Sequence, residues 1–102
     1  MIVISTNHST HVTVDAGTKA MYVVDTKPQV KKPDGLNYDW VFGDEHGKIT
    51  AKKGFELPKL SDILELIVAH CDPTINLFDH FYITQNDIVI DRWDINLRGK
   101  AQ

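Results

Sequence analysis

Five histidines, one cysteine and a scatter of carboxylates are the side chains here that could do chemistry. A zinc site needs three or four converging ligands. His8 and His11 have an H-x-x-H spacing, but it spans an expected turn, and no cysteine or carboxylate stands in ligand spacing beside them. They read as exposed turn residues. His70-Cys71-Asp72 contains the residue types of thiol catalysis, yet Cys71 falls on the apolar stripe of an expected helix. Adjacent helical residues point about 100° apart, so this triplet reads as a packed cysteine between two surface groups. Asp79, Asp87, Asp91 and Asp94 match no calcium-loop spacing. Asp91 and Asp94 are an odd number apart and would face opposite ways on a regular strand. The six glycines are scattered and form no phosphate-cradling loop. No catalytic, cofactor or metal site is expected from these patterns.

The elements that must position such residues read as α+β. Met1 to Ser5 is apolar on both faces and suggests a central strand. His11 to Asp15 alternates, with Val12 and Val14 inward. Ala20 to Thr26 is a third strand, and short turns join the three as a meander. Residues 27–37 form a long loop with Pro-Asp-Gly at 33–35 as its turn. Tyr38 to Phe42 and Lys48 to Lys52 make a hairpin. Leu60, Ile63, Leu64, Ile67 and Cys71 recur at helical spacing, which predicts an amphipathic helix at about 60–71, capped near Ser61 and ended by Asp72-Pro73. Leu66 is out of register with that stripe. Asp79 to Thr84 and Ile88 onward form a last hairpin around Gln85-Asn86-Asp87, with a bulge or bend near Asp91-Arg92 where the apolar phase shifts. The expected fold is an antiparallel sheet of about seven strands, with the helix packed on one face, in a single domain over 1–102.

Composition supports a folded chain, at 42% hydrophobic and 25% charged. A single cysteine cannot form an internal disulfide, and no apolar run nears a membrane span. These features predict a cytoplasmic protein away from membranes. Net charge is −3 and uneven: residues 1–60 carry eight lysines against seven acids, whereas residues 61–102 carry three basic groups against seven acids. An acidic chain argues against nucleic acid, where phosphate contacts dominate affinity.

With no chemistry evident, the pattern predicts a non-enzymatic protein that docks on another protein with a basic surface, of the accessory, inhibitory or immunity type. Its candidate contact residues are the aromatic row Tyr38, Trp40 and Phe42, which equally suits a core, rimmed by Lys31, Lys32, Asp44 and Glu45. The C-terminal group Asp91, Arg92, Trp93 and Asp94 joins them. A homodimer through a sheet edge is a further expectation. The alternatives are a sequestering protein for a small molecule or nucleotide, with a pocket near 27–37, and a small hydrolase using histidine and aspartate.

Overall fold

The computed structural model describes residues 1–23, 26–39 and 43–100. The described residues are mostly antiparallel β-structure with one short helix, consistent with an α+β fold. The strands are β1 (Val3–Ser5), β2 (Val12–Val14), β3 (Gln29–Lys32), β4 (Leu36–Asp39), β5 (Gly47–Ala51) and β6 (Glu65–Ile67). Helix α1 (Cys71–Ile75) follows, then β7 (His80–Gln85) and β8 (Ile88–Asp94). Among the described residues these strands fall into three sheets. One has four strands in the order β1-β2-β5-β4, and the others are the pairs β3-β6 and β7-β8.

The four-stranded sheet holds the core. Val3, Val12, Val14, Leu36, Tyr38 and Ile49 are buried from its inner face, joined by Met21, Val23 and Leu64 from outside it. Register explains the focus on Ile49, which stands opposite Val12 on one side and Tyr38 on the other. Full burial of an aliphatic side chain contributes roughly 1.5–3 kcal/mol, so this column anchors the sheet. Strand β1 is not central as expected: it lies at the sheet edge, and Ile2 and Ile4 flank buried Val3 as exposed residues.

The expected helix at 60–71 is absent. Residues 61–64 run beside the N-terminus instead. Ser61 N–H donates to Val3 O, Val3 N–H to Asp62 O, and Leu64 N–H to Met1 O. The next residues form β6, paired with β3. Ser61 has a φ of 71°, a left-handed conformation unlike the extended backbone of a helix N-cap. The same apolar segment also offers a period of two, carried by Leu64, Leu66 and Val68. Leu64, Leu66 and Val68 turn toward the core, while Ile63 and Ile67 are exposed. Leu66, out of phase for a helix, is in phase for the strand. The only helix among the described residues begins where the expected one ends, and none is long and apolar enough to cross a membrane.

Two smaller expectations also change. Residues 20–23 keep the alternation of a third strand, with Met21 and Val23 buried around exposed Tyr22, but form no strand. The loop over 27–37 contains β3, and its Pro-Asp-Gly turn leads into β4. In the last hairpin, Ile83 stands opposite Asp91 and Thr84 opposite Val89, which leaves Ile90 as the bulge, one residue before the expected place. Asn86 and Asp87 both have positive φ, at 51° and 61°. That is the two-residue turn that matches strand twist.

Candidate functional site

The segment from Ala16 to Val23 leaves the core sheet and is held from both sides. Its start is fixed by Tyr38, whose buried hydroxyl donates to Ala16 O at 2.6 Å. Burial, with a smaller contribution from the Asp39 charge, pushes the Tyr38 pKa up to about 12, so this donor keeps its proton at physiological pH. Gly17 is required by close approach: a Cβ there would meet Gly43 O at 2.5 Å and Asp44 O at 2.6 Å. Without a side chain, the backbone can lie against the 43–46 loop. Thr18 N–H donates to Gly43 O at 3.0 Å and Lys19 N–H to Asp44 O at 2.8 Å. Side chains double these links, as Thr18 Oγ1 donates to Asp44 Oδ1 at 3.2 Å and Lys19 Nζ to Glu45 Oε1 at 2.9 Å. The Lys19 hydrogen bond and charge hold the Glu45 carboxyl below its ordinary range. Glu45 in return raises Lys19. Both side chains are solvated, so the pair orients the loop more than it stabilises the fold.

The far end of the segment is tied to α1. Tyr22 N–H donates to Thr74 Oγ1 at 3.1 Å, and Thr74 Oγ1 donates to His70 O at 2.6 Å. Thr74 is 5% exposed, and its hydroxyl uses both its donor and its acceptor function within the fold. The Tyr22 ring meets the His70 ring edge-on, with centroids 5.9 Å apart and planes at 78°. His70, Cys71 and Asp72 therefore stand exposed on a braced backbone at the start of α1. The expectation that Cys71 packs in a helical stripe fails, because that helix does not form. An imidazole and a carboxylate here can exchange protons with a molecule bound outside. Among the described residues, no group of three or more His, Cys, Asp and Glu side chains converges as a metal site would require.

The candidate contact residues are spread over the molecule. Tyr38 is buried, and Trp40 and Phe42 lie outside the described residues. Lys31 and Lys32 project from β3, both toward Glu65, at 3.7 and 3.5 Å. Asp44 and Glu45 are the residues that meet Thr18 and Lys19. Asp91, Arg92, Trp93 and Asp94 are exposed on β8. His8 and His11 stack on each other at 4.3 Å. Near 27–37, where a pocket was expected, a cavity of about 710 Å³ is lined by Lys27, Gln29, Tyr38, Asp39 and Lys52 among others. It shares no lining residue with the braced segment. Lys19, Tyr22 and Thr74 were missed by sequence reasoning, since their partners lie 26 and 52 residues away and no local pattern marks them.

Comparison with known proteins gives these residues a context. Residues 1–84 match a family described as a putative serine dehydratase domain. The chain is 35% identical over 88 residues to the D-threonine aldolase of an Arthrobacter species, covering 86% of this chain and 23% of that protein. It is 39% identical over 88 residues to the 3-hydroxy-D-aspartate aldolase of Paracoccus denitrificans (strain Pd 1222), covering 86% of this chain and 22% of that protein. The crystal structure of D-threonine aldolase from Filomicrobium marinum superimposes with a TM-score of 0.85 at 30% identity, over 96% of this chain and 27% of that one. The chain thus spans about a quarter of the length of the relatives it matches. These relatives are enzymes, which overturns the expectation of a non-enzymatic docking, inhibitory or immunity-type protein. That expectation rested on the lack of a contiguous catalytic motif.

Proposed function

Because the chain belongs to the family of putative serine dehydratase domains, we propose that it is the β-rich portion of an aldolase-type enzyme acting on 3-hydroxy-D-amino acids. The observation that carries this is the identity of 35% and 39% to two aldolases whose named substrates share the D configuration and a hydroxyl on Cβ. Cleavage of such a substrate follows from its chemistry. A base takes the hydroxyl proton, the Cα–Cβ bond breaks, an aldehyde departs, and the electron pair left on Cα is protonated to give glycine. Each proton needs a group held within hydrogen-bond reach.

The braced start of α1 is where this chain offers such groups. His70 and Asp72 are exposed, and Thr74 and Tyr22 fix the backbone beneath them. Proton transfer by a positioned side chain contributes about a hundredfold or more. The test is glycine release from D-threonine by this chain combined with Arthrobacter D-threonine aldolase from which the aligned stretch has been deleted. Release is expected, with kcat/KM reduced about a hundredfold or more by His70→Ala or Asp72→Asn and unchanged by Cys71→Ala. A combined protein that forms and yields no glycine from D-threonine or 3-hydroxy-D-aspartate would sink this function.

A further inference from the structure

Resting on the aldolase function above, we propose that Tyr22 is a positioning residue for His70. Its ring holds the imidazole in one orientation and leaves both imidazole nitrogens open to a bound molecule.

His70 needs such a support. It is the N-cap of α1, with extended backbone at φ −144° and ψ 117°, and its side chain makes no cap hydrogen bond. Thr74 Oγ1 fixes its carbonyl, but a fixed backbone still leaves the side chain free among staggered rotamers. Proton transfer requires a nitrogen within hydrogen-bond reach of one particular atom, so a ring that samples several rotamers is out of reach for part of the time. Acid–base histidines are commonly oriented by a third group bonded to one ring nitrogen. His80 has that arrangement in this chain, with Nδ1 3.0 Å from Asp94 Oδ1, and one of its nitrogens is thereby occupied. Among the described residues, His70 enters side-chain hydrogen bonding only through its carbonyl.

Tyr22 orients without occupying a nitrogen. The two ring centroids are 5.9 Å apart with planes at 78°, within the favourable edge-to-face range of about 4.5–7 Å. The base of the tyrosine is immobile. Its neighbours Met21 and Val23 are buried, and its N–H donates to Thr74 Oγ1 at 3.1 Å. The same hydroxyl donates to His70 O. One oxygen thus sets the spacing of the two backbones, and the two rings close the loop from the other side. An aromatic pair of this kind favours the contacted orientation by about two- to tenfold. The contact is made by the ring, so phenylalanine should serve in place of tyrosine.

The full chain, isotope-labelled for NMR, reads the orientation directly. Couplings across the His70 χ1 bond should report one rotamer, with ring-to-ring Overhauser contacts to Tyr22. Tyr22→Ala should average those couplings, and Tyr22→Phe should keep them. In the combined protein used for glycine release, Tyr22→Ala should lower kcat about two- to tenfold at unchanged KM, because orientation acts on the proton-transfer step. Tyr22→Phe should restore kcat. A merely structural role would lower the urea midpoint and leave couplings and kcat as they are. If Tyr22→Ala loses amide protection at Met21 to Val23, Tyr22→Leu decides by the same couplings, since it keeps bulk and removes the ring. An averaged His70 in the unsubstituted chain, couplings that ignore the loss of the ring, or a change in KM without a change in kcat would each overturn the positioning role. The aldolase function fails separately. Couplings that respond as expected in a chain whose combined protein releases no glycine remove that function and leave the ring contact standing. Release from Tyr22→Ala at the unsubstituted rate removes the positioning role alone.

Discussion

Thr74 carries two partly buried hydrogen bonds on one oxygen. Replacing it with valine removes the acceptor of Tyr22 N–H and the donor to His70 O. An unsatisfied buried partner costs about 1–3 kcal/mol. Thr74→Val should therefore lower stability by that amount in urea titration, while Thr74→Ser, which keeps the hydroxyl, should recover most of it. His11 makes a different prediction. Its pKa is lowered, first by loss of hydration and then by the charges of His8 and Lys48. The folded chain therefore binds fewer protons than the unfolded chain just below the ordinary histidine value of about 6.5. Stability should be full above that pH and decline as the pH falls beneath it. His11→Gln should flatten the slope between about pH 7.5 and 5.5, measured as thermal midpoints across that range. An unchanged slope would assign the acid sensitivity elsewhere.

The β7–β8 turn gives a prediction at the level of the element. Asp87 holds a φ of 61°, where glycine has no Cβ to clash. Asp87→Gly creates the Asn-Gly pair preferred in this turn and should stabilise the ribbon by about 0.5–1 kcal/mol. Slower exchange of the β7 and β8 amides would register it. Elements defined by neighbouring residues were legible in the sequence. Val12 and Val14 alternate inward as read, Tyr38 to Asp39 and Lys48 to Ala51 belong to paired strands, and Gln85-Asn86-Asp87 turns the last hairpin. Elements decided at a distance were not. Ile63 to Val68 satisfies both a helical and a strand period, and what settles it is backbone pairing with Met1, Val3 and β3. The candidate site was obscured for the same reason. His70-Cys71-Asp72 was visible as chemistry but discounted on the strength of a helix that does not form. The partners that brace it, Tyr22 and Thr74, are 52 residues apart.

For the molecule as a whole, stability should concentrate in the four-stranded sheet. Ile49 is fully buried between Val12 and Tyr38. Ile49→Ala should cost about 2–5 kcal/mol, seen as a lower urea midpoint with an unchanged slope. Function, by contrast, is proposed to depend on polypeptide that relatives have in addition to this quarter. Composition and motif reading pointed away from an enzyme because the matched quarter carries no contiguous catalytic motif.

The isolation of the last hairpin has one more consequence. A ribbon that no other described element touches shares few interactions with the sheet, so nothing obliges both to melt together. Unfolding of the chain on its own should then lose cooperativity. Exchange of the β8 amides should proceed through a low-energy local opening, while the amides around Ile49 wait for global unfolding.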